Sequence, residues 1–338
     1  MCKWLRGIFK KKKLMTKADI KFYSNALIQA DVEFLKYQIA QKNVTLIANS
    51  GLQKLIDECQ SYVALPANSP IYNTTLKPLL VLYSFSDTLR MLWMKRKDFR
   101  IQLSAMNTGT YEYGVIGPNG QHNFKDFELE LFTAAYLNEY GVDADLPQTT
   151  AGNDVLYKDI EIQCKHPDTF TRNKIDGFLR DFQSSLQRSQ KYGVFGIGVD
   201  DFLAFTDESF PIDYQAFERE YRTALLNQDQ VMQQVFDSTL PHCPRVLGVY
   251  LINTHFTFNE QMGLTLAKTT NSVFCLRPNA RAVPEETHIQ AYEVVSYSIT
   301  NHQFVFINEP DTKAHTLPSY SMPTLMAKLA KECAFSSQ

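Results

Sequence analysis

No run among the 338 residues reaches the ~20 apolar residues that a membrane-spanning helix requires. There is no Walker phosphate loop, no GxGxxG and no GxSxG, so nucleotide-driven motors and serine hydrolases find no support, and no internal repeat is present. Cysteine is sparse and scattered. Cys2, Cys59, Cys164, Cys243, Cys275 and Cys333 form no CxxC pair and stand at no histidine spacing that would make a zinc site, so they read as the reduced thiols of a cytoplasmic protein. An excess of either charge is also missing. Thirty-four basic residues against 36 acidic ones leave a formal charge of −2, which excludes a nucleic-acid coat protein and restricts any phosphate-binding surface to a local cleft. What the chain does have is apolar material: 44% hydrophobic and 12% aromatic residues supply an ample core for two domains.

Three segments emerge along the chain. Residues 1–17, with Trp4, Leu5, Ile8 and Phe9 beside Lys10 to Lys13, read as a disordered basic tail able to touch an anionic membrane surface or nucleic acid. The tail lacks the long apolar core and cleavage site of a signal peptide. Residues 18–110 read as a helical N-terminal domain. It holds an amphipathic stretch from Ala18, a helix opened by Ser50 as N-cap, and a long apolar helix that ends in the basic cluster Lys95, Arg96 and Lys97. A Gly-, Asn- and Thr-rich stretch with a turn at Pro118-Asn119-Gly120 marks a boundary, and residues 111–338 mix helices and strands. In its last part, "DYQAFEREYRTALLNQDQVMQQVFDSTL" reads as a helix, while "RVLGVYLINTHFTF", "SVFCLRPN" and "HQFVFIN" read as strands. Asp200 and Asp201 close the "GIGVDD" strand, where turn and N-cap roles suit them best.

Between 128 and 165 the pattern turns chemical. In "DIEIQCK", Ile160, Ile162 and Cys164 alternate with Glu161, Gln163 and Lys165, the period of a half-buried strand. A rise of about 3.3 Å per residue sets Gln163 and Lys165 on one face roughly 7 Å apart, with Glu161 one step further back. Upstream, a turn at Gly152-Asn153 delivers Asp154 and then the apolar Val155 and Leu156, so Asp154 can face Gln163 across a hairpin. A hard divalent ion such as Mg²⁺ or Mn²⁺ takes oxygen ligands and keeps several waters. Asp154, the Gln163 side-chain carbonyl and the Cys164 backbone carbonyl make a suitable set. Lys165 then places a compact positive charge beside an attacking water or the charge that develops on phosphorus. His166 stands at the strand end, where a histidine is usually just exposed.

Over residues 124 to 203 this arrangement resembles the PD-(D/E)XK nuclease superfamily, the restriction-endonuclease-like fold. Its core is a helix bearing a Glu, a hairpin bearing the Asp and the acid-x-Lys, then a helix and another strand. The resemblance implies a mixed α/β (α+β) architecture, a mixed central sheet flanked by helices, here preceded by the small helical domain. It makes Glu130, which shares a face with Ala134 and Leu137, the helical glutamate in preference to Glu128. It makes Ile175, Phe178, Leu179, Phe182 and Leu186 the stripe of the second helix, stopped by Gly193 before a buried "VFGIGV" strand. Glu130, Asp154, Gln163 and Lys165 are then the catalytic set. The metal is held by Asp154, Gln163 and the Cys164 carbonyl, with Glu130 as a further ligand. Gln163 departs from the pattern, which has Glu or Asp there; it keeps an oxygen but removes a charge, which Glu161 or Glu130 would have to replace.

The implied activity is metal-dependent hydrolysis of DNA phosphodiester bonds, with RNA as an open alternative. A homodimer would be expected if both strands of a duplex are cut. Arg172, Lys174, Arg180, Gln183 and Gln187 offer a nucleic-acid surface on the second helix, joined by Arg188 and Lys191, with Arg180 and Gln183 expected nearest the functional strand. The alternative is a protein that keeps the fold without catalysis and binds nucleic acid or a protein partner.

Overall fold

A computed structural model of the chain describes residues 19–23, 25–65, 73–108, 111, 123–148, 154–167, 169–199, 228, 230–259, 265–276, 283–297 and 302–307. The basic tail, the Pro118-Asn119-Gly120 turn, Asp200 and Asp201 lie outside the described residues.

The architecture is mixed α/β. Among the described residues seven strands form one sheet: β1 (Asp19–Tyr23), β2 (Val155–Tyr157), β3 (Ile160–Lys165), β4 (Tyr192–Gly198), β5 (Val246–Asn259), β6 (Thr265–Leu276) and β7 (His302–Ile307). Their order is β1-β7-β6-β5-β4-β3-β2. Pairing is parallel for β1 with β7, β3 with β4 and β4 with β5, and antiparallel for β2 with β3, β5 with β6 and β6 with β7. β4 has no polar alternation because both of its faces are covered, as the unbroken apolar run in its sequence requires.

Helices flank the sheet: α1 (Asn25–Gln41), α2 (Gly51–Val63), α3 (Asn73–Met94), α4 (Arg100–Ala105), α5 (Asn123–Glu139), α6 (Arg172–Ser189), a helix over 230–238 that is α7, and α8 (Glu285–Tyr297). Ser50 caps α2 as expected, its hydroxyl accepting the Gln53 N–H at 3.1 Å. On one face Ile175, Leu179, Phe182 and Leu186 of α6 pack with Val235 on Phe195, Ile197, Val249 and Leu251. The other face carries the larger apolar cluster.

That cluster departs from the expected division at residue 110. Ile28, Leu35, Leu55 and Phe85 share it with Leu131, Ala134, Ile162, Val194 and Val295. Phe85 of α3 and Phe124 of α5 meet with ring centroids 5.8 Å apart, and α3 also lies on β6 and β7. α3 is thus buried against the sheet layer, while α1 and α2 pack on α3 and on each other. The segment is not purely helical either. "DIKFY" alternates with period two and pairs in parallel with β7, so the helix begins only at Asn25.

Gly193 does not stop α6. The helix ends at Gln190 in the left-handed region (φ 59°), and Gly193 lies inside β4. Its reason is close approach: a Cβ there would overlap the Phe182 ring and stand 2.7 Å from the Glu161 carbonyl oxygen. Gly193→Ala is therefore expected to destabilise the protein by about 2–4 kcal/mol, since neither the strand backbone nor the buried ring can yield cheaply. Urea denaturation checks this, and a loss below half a kcal/mol would refute the packing reason.

Candidate functional site

The site lies at the carboxyl end of β3, where three elements converge. β2 and β3 form a tight hairpin through Lys158 (φ 51°) and Asp159, with Val155 opposite Ile162. Asp154 stands one residue before β2, and its own N–H donates to the Ile162 carbonyl at 3.1 Å. From there its carboxylate continues the edge of the ladder with side-chain atoms. Oδ2 accepts the Cys164 N–H at 2.6 Å and the Gln163 amide Nε2 at 2.6 Å, and lies 3.9 Å from the Lys165 ammonium. The expected meeting of Asp154 and Gln163 across the hairpin is thus present. A strand residue turns its N–H and C=O to the same side, so the Cys164 carbonyl also faces Asp154. The Cys164 thiol points the other way, beside the Thr133 hydroxyl (3.8 Å) and the Tyr250 hydroxyl (3.5 Å), and burial pushes both Cys164 and Tyr250 well above their usual pKa ranges. That thiol is packing, not chemistry.

α5 brings the second acidic group. Glu130 is 4% exposed, and burial raises its carboxyl well above the usual range, with the neighbouring Asp154 charge adding to the push. The Gln102 side chain of α4 hydrogen-bonds Glu130 and draws it part of the way back. Asp154 is pushed up to about 6 by burial, against the pull of Lys165, the Cys164 N–H and the Gln163 amide. Lys165 is half-buried, which disfavours its charge. Asp154, Asp126 and Glu130 outweigh that cost and raise its pKa, so the ammonium stays charged at neutral pH.

Two members of this neighbourhood escaped the sequence reading. Asp126 lies one turn before Glu130 on α5, and its Oδ1 accepts the His166 N–H at 2.8 Å. The signal was available: Asp126 and Glu130 stand four apart on one helical face. Gln102 had no local signal, because it reaches Glu130 only through the packing of α4 on α5.

Other expectations are corrected. His166 is 5% exposed rather than open to solvent, since the chain leaving β3 turns under the start of α5. Glu161 cannot replace the charge missing at Gln163. It is buried further back on β3, where it accepts the Ser189 hydroxyl at 3.3 Å. Gln183 is no surface contact: it is buried, and its Oε1 accepts the Arg245 N–H at 2.8 Å, fixing α6 to the start of β5. Arg172 lies 3.5 Å from Asp176 and donates to the Ser238 hydroxyl at 2.9 Å, and the Lys174 ammonium sits 5.6 Å from the centre of the Phe178 ring. Arg180 and Gln187 are exposed.

α6 runs away from the site. Gln187, fifteen residues beyond Arg172, lies about 22 Å further along the helix. The shallow depression lined by Asp181, Ser184, Gln187 and Arg188 is therefore remote from Asp154 and brings none of the site residues together. Nor is Lys97 of the basic cluster available to a ligand. Its ammonium holds Asp143 at 2.6 Å and Asp145 at 2.7 Å, and Asp145 exchanges two 2.8 Å backbone hydrogen bonds with Leu156 of β2. Lys97 thereby braces the edge strand that Asp154 enters.

Among the described residues no group of three or more His, Cys, Asp and Glu side chains is arranged to hold a metal ion by itself, and no helix is long and apolar enough to cross a membrane. The donors at this site are fewer and mixed: two buried carboxylates, an amide, a strand carbonyl and an ammonium. Comparison with known proteins adds no relative: no family model, no curated protein and no solved structure matches the chain.

Proposed function

We propose that the protein is a metal-dependent nuclease of the restriction-endonuclease-like type, hydrolysing phosphodiester bonds of DNA with Mg²⁺ or Mn²⁺. One observation carries the reading: Glu130 from α5, Asp154 from the entry to β2, and Gln163 and Lys165 from β3, drawn from separate elements, adjoin one spot at the end of a strand. The order of elements is in keeping with it: a helix with a carboxylate, an antiparallel hairpin, a helix, then a parallel strand.

The donor set fits a hydrated hard cation. Two buried carboxylates with raised pKa values are costly to ionise together, and a cation between them offsets that cost. Asp154 and Glu130 would hold it with the Cys164 carbonyl, and a half-turn of the Gln163 amide would add Oε1. Such an ion keeps several waters and a phosphate oxygen, so few protein ligands suffice. Bound there, it would lower the pKa of a water and neutralise charge on the scissile phosphate. Lys165, charged and 33% exposed at its side chain, faces the open side and would stabilise the negative charge that builds up on phosphorus.

The test is cleavage of plasmid and linear DNA by the purified chain with Mg²⁺ or Mn²⁺. Cuts are expected that vanish with EDTA and in Lys165→Ala. Absence of cleavage on DNA and RNA with either ion would overturn the activity. A second reading, a nuclease-fold protein without catalysis that binds nucleic acid or a partner, draws on the Gln163 amide, which satisfies Asp154 Oδ2 internally where the family pattern has an acid. Calorimetry with both ions in the presence of DNA separates the two: no ion uptake favours the second.

A further inference from the structure

Asp126 is tied to the site by observations that neither its role as an acceptor nor its place in the first turn of α5 exhausts. Four residues before Glu130, it shares that residue's helical face at a spacing of about 6 Å. Its bond to the His166 N–H holds it against the residue that follows Lys165. Its charge acts on Glu130, Asp154 and Lys165 together. An independent sign of a ligand comes from α4. Gln102 is 1% exposed, its side chain is hydrogen-bonded to Glu130, and its Oε1 has no partner among the described residues. A buried amide oxygen without a donor is costly, and a water carried by a hydrated cation beside Glu130 would satisfy it.

We infer that Asp126 borders the cation site on its α5 side without being a ligand, and that its negative charge, beyond its hydrogen bond to His166, strengthens binding of a hydrated divalent ion held by Asp154, Glu130 and the Cys164 carbonyl. The inference rests on the proposed cation chemistry of the site and not on cleavage. Asp126 is a positioning and charge-bearing residue whose bond to His166 also fixes the end of β3. Asparagine separates the two roles, since it keeps an oxygen for the His166 N–H and loses the charge.

The experiment is calorimetric titration of the full chain with Mn²⁺ alone, for the native protein, Asp126→Asn, Asp126→Ala and the control Glu128→Gln. Removing one unit charge at this range should weaken Mn²⁺ about tenfold or more in both Asp126 variants and leave the control unchanged. Native affinity in Asp126→Asn, or no Mn²⁺ uptake by the native chain, overturns the inference. If Asp126→Asn does not fold, Asp126→Glu decides: retained charge must retain affinity within a few fold, and a tenfold loss there refutes the charge role. Mn²⁺ binding that depends on Asp126 without any DNA or RNA cleavage would sink the nuclease reading and leave this inference standing. Cleavage with Mn²⁺ affinity indifferent to Asp126 would do the reverse.

Discussion

Asp154→Asn is expected to abolish ion-dependent cleavage and, in the same molecule, to relieve the ion-free protein of a pH-dependent cost. The carboxyl of Asp154 sits near 6 in the folded chain against 3.8 for an ordinary aspartate, chiefly because burial disfavours its charge. A raised carboxyl stabilises the folded state below the unfolded value. As pH rises past 3.8 the unfolded chain loses its proton first, and by the time pH has passed 6 the folded state has surrendered that stability. At about 1.4 kcal/mol per unit the swing is at most about 3 kcal/mol between pH 4 and pH 8. Asparagine never ionises and still offers an oxygen to the Cys164 N–H. Relative to the native chain, Asp154→Asn should thus gain about 1–3 kcal/mol on going from pH 4 to pH 8, even though Lys165 loses a counter-charge. Urea denaturation at the two pH values without divalent ions measures the difference. A gap that stays constant, or grows in favour of the native chain, would show that Asp154 is not held at the expense of stability. Function obtained at a local cost of this kind is the pattern expected of a site rather than of a structural ion pair.

The elements around the proposed site were the most legible part of the sequence. β3 declared itself by strict alternation, α5 and α6 by apolar residues three and four apart, and the hairpin by the Asp154 segment and the polar-apolar strand after it. What stayed hidden was hidden for physical reasons. β1 is five residues long and runs almost directly into α1, so its alternation merged with a helical pattern. α8 went unread because two of its buried positions, Thr287 and Gln290, are polar, which blurs the apolar period that Ala291, Val294 and Val295 would otherwise announce. Gln183 looked like a surface amide because nothing local reveals that the Arg245 N–H at the start of β5 needs an acceptor there. Helical spacing identified Glu130, and the same spacing applied one turn earlier would have found Asp126. Gln102 belongs to a different class, since its contact with Glu130 exists only once α4 has packed on α5.

Gln163→Glu should turn the site from one that is satisfied alone into one that demands an ion. In the native chain the amide donates to Asp154 Oδ2 at 2.6 Å, so the two side chains hold each other without a cation. Glutamate removes the donor and sets a second carboxylate at that distance, where two like charges must share the Lys165 ammonium and ionise together only at a cost. Without divalent ions the variant should therefore lose stability at pH 8, by about 1–3 kcal/mol, and much less at pH 5, where the pair can share a proton. With Mn²⁺ the order reverses. The added charge should tighten binding by about ten- to a hundredfold, and the gain in melting temperature on adding the ion should exceed that of the native chain, because an ion that binds only the folded state stabilises it in proportion to the logarithm of one plus the ratio of its concentration to Kd. Cleavage should rise most at ion concentrations too low to fill the native site and converge at saturation, since the glutamate changes occupancy and leaves Lys165 in place. Titrating melting temperature and cleavage against Mn²⁺ for both chains tests each step. If Gln163→Glu binds the ion no better than the native chain while remaining folded, Gln163 does not border the cation, and the metal set shrinks to Asp154, Glu130 and the Cys164 carbonyl.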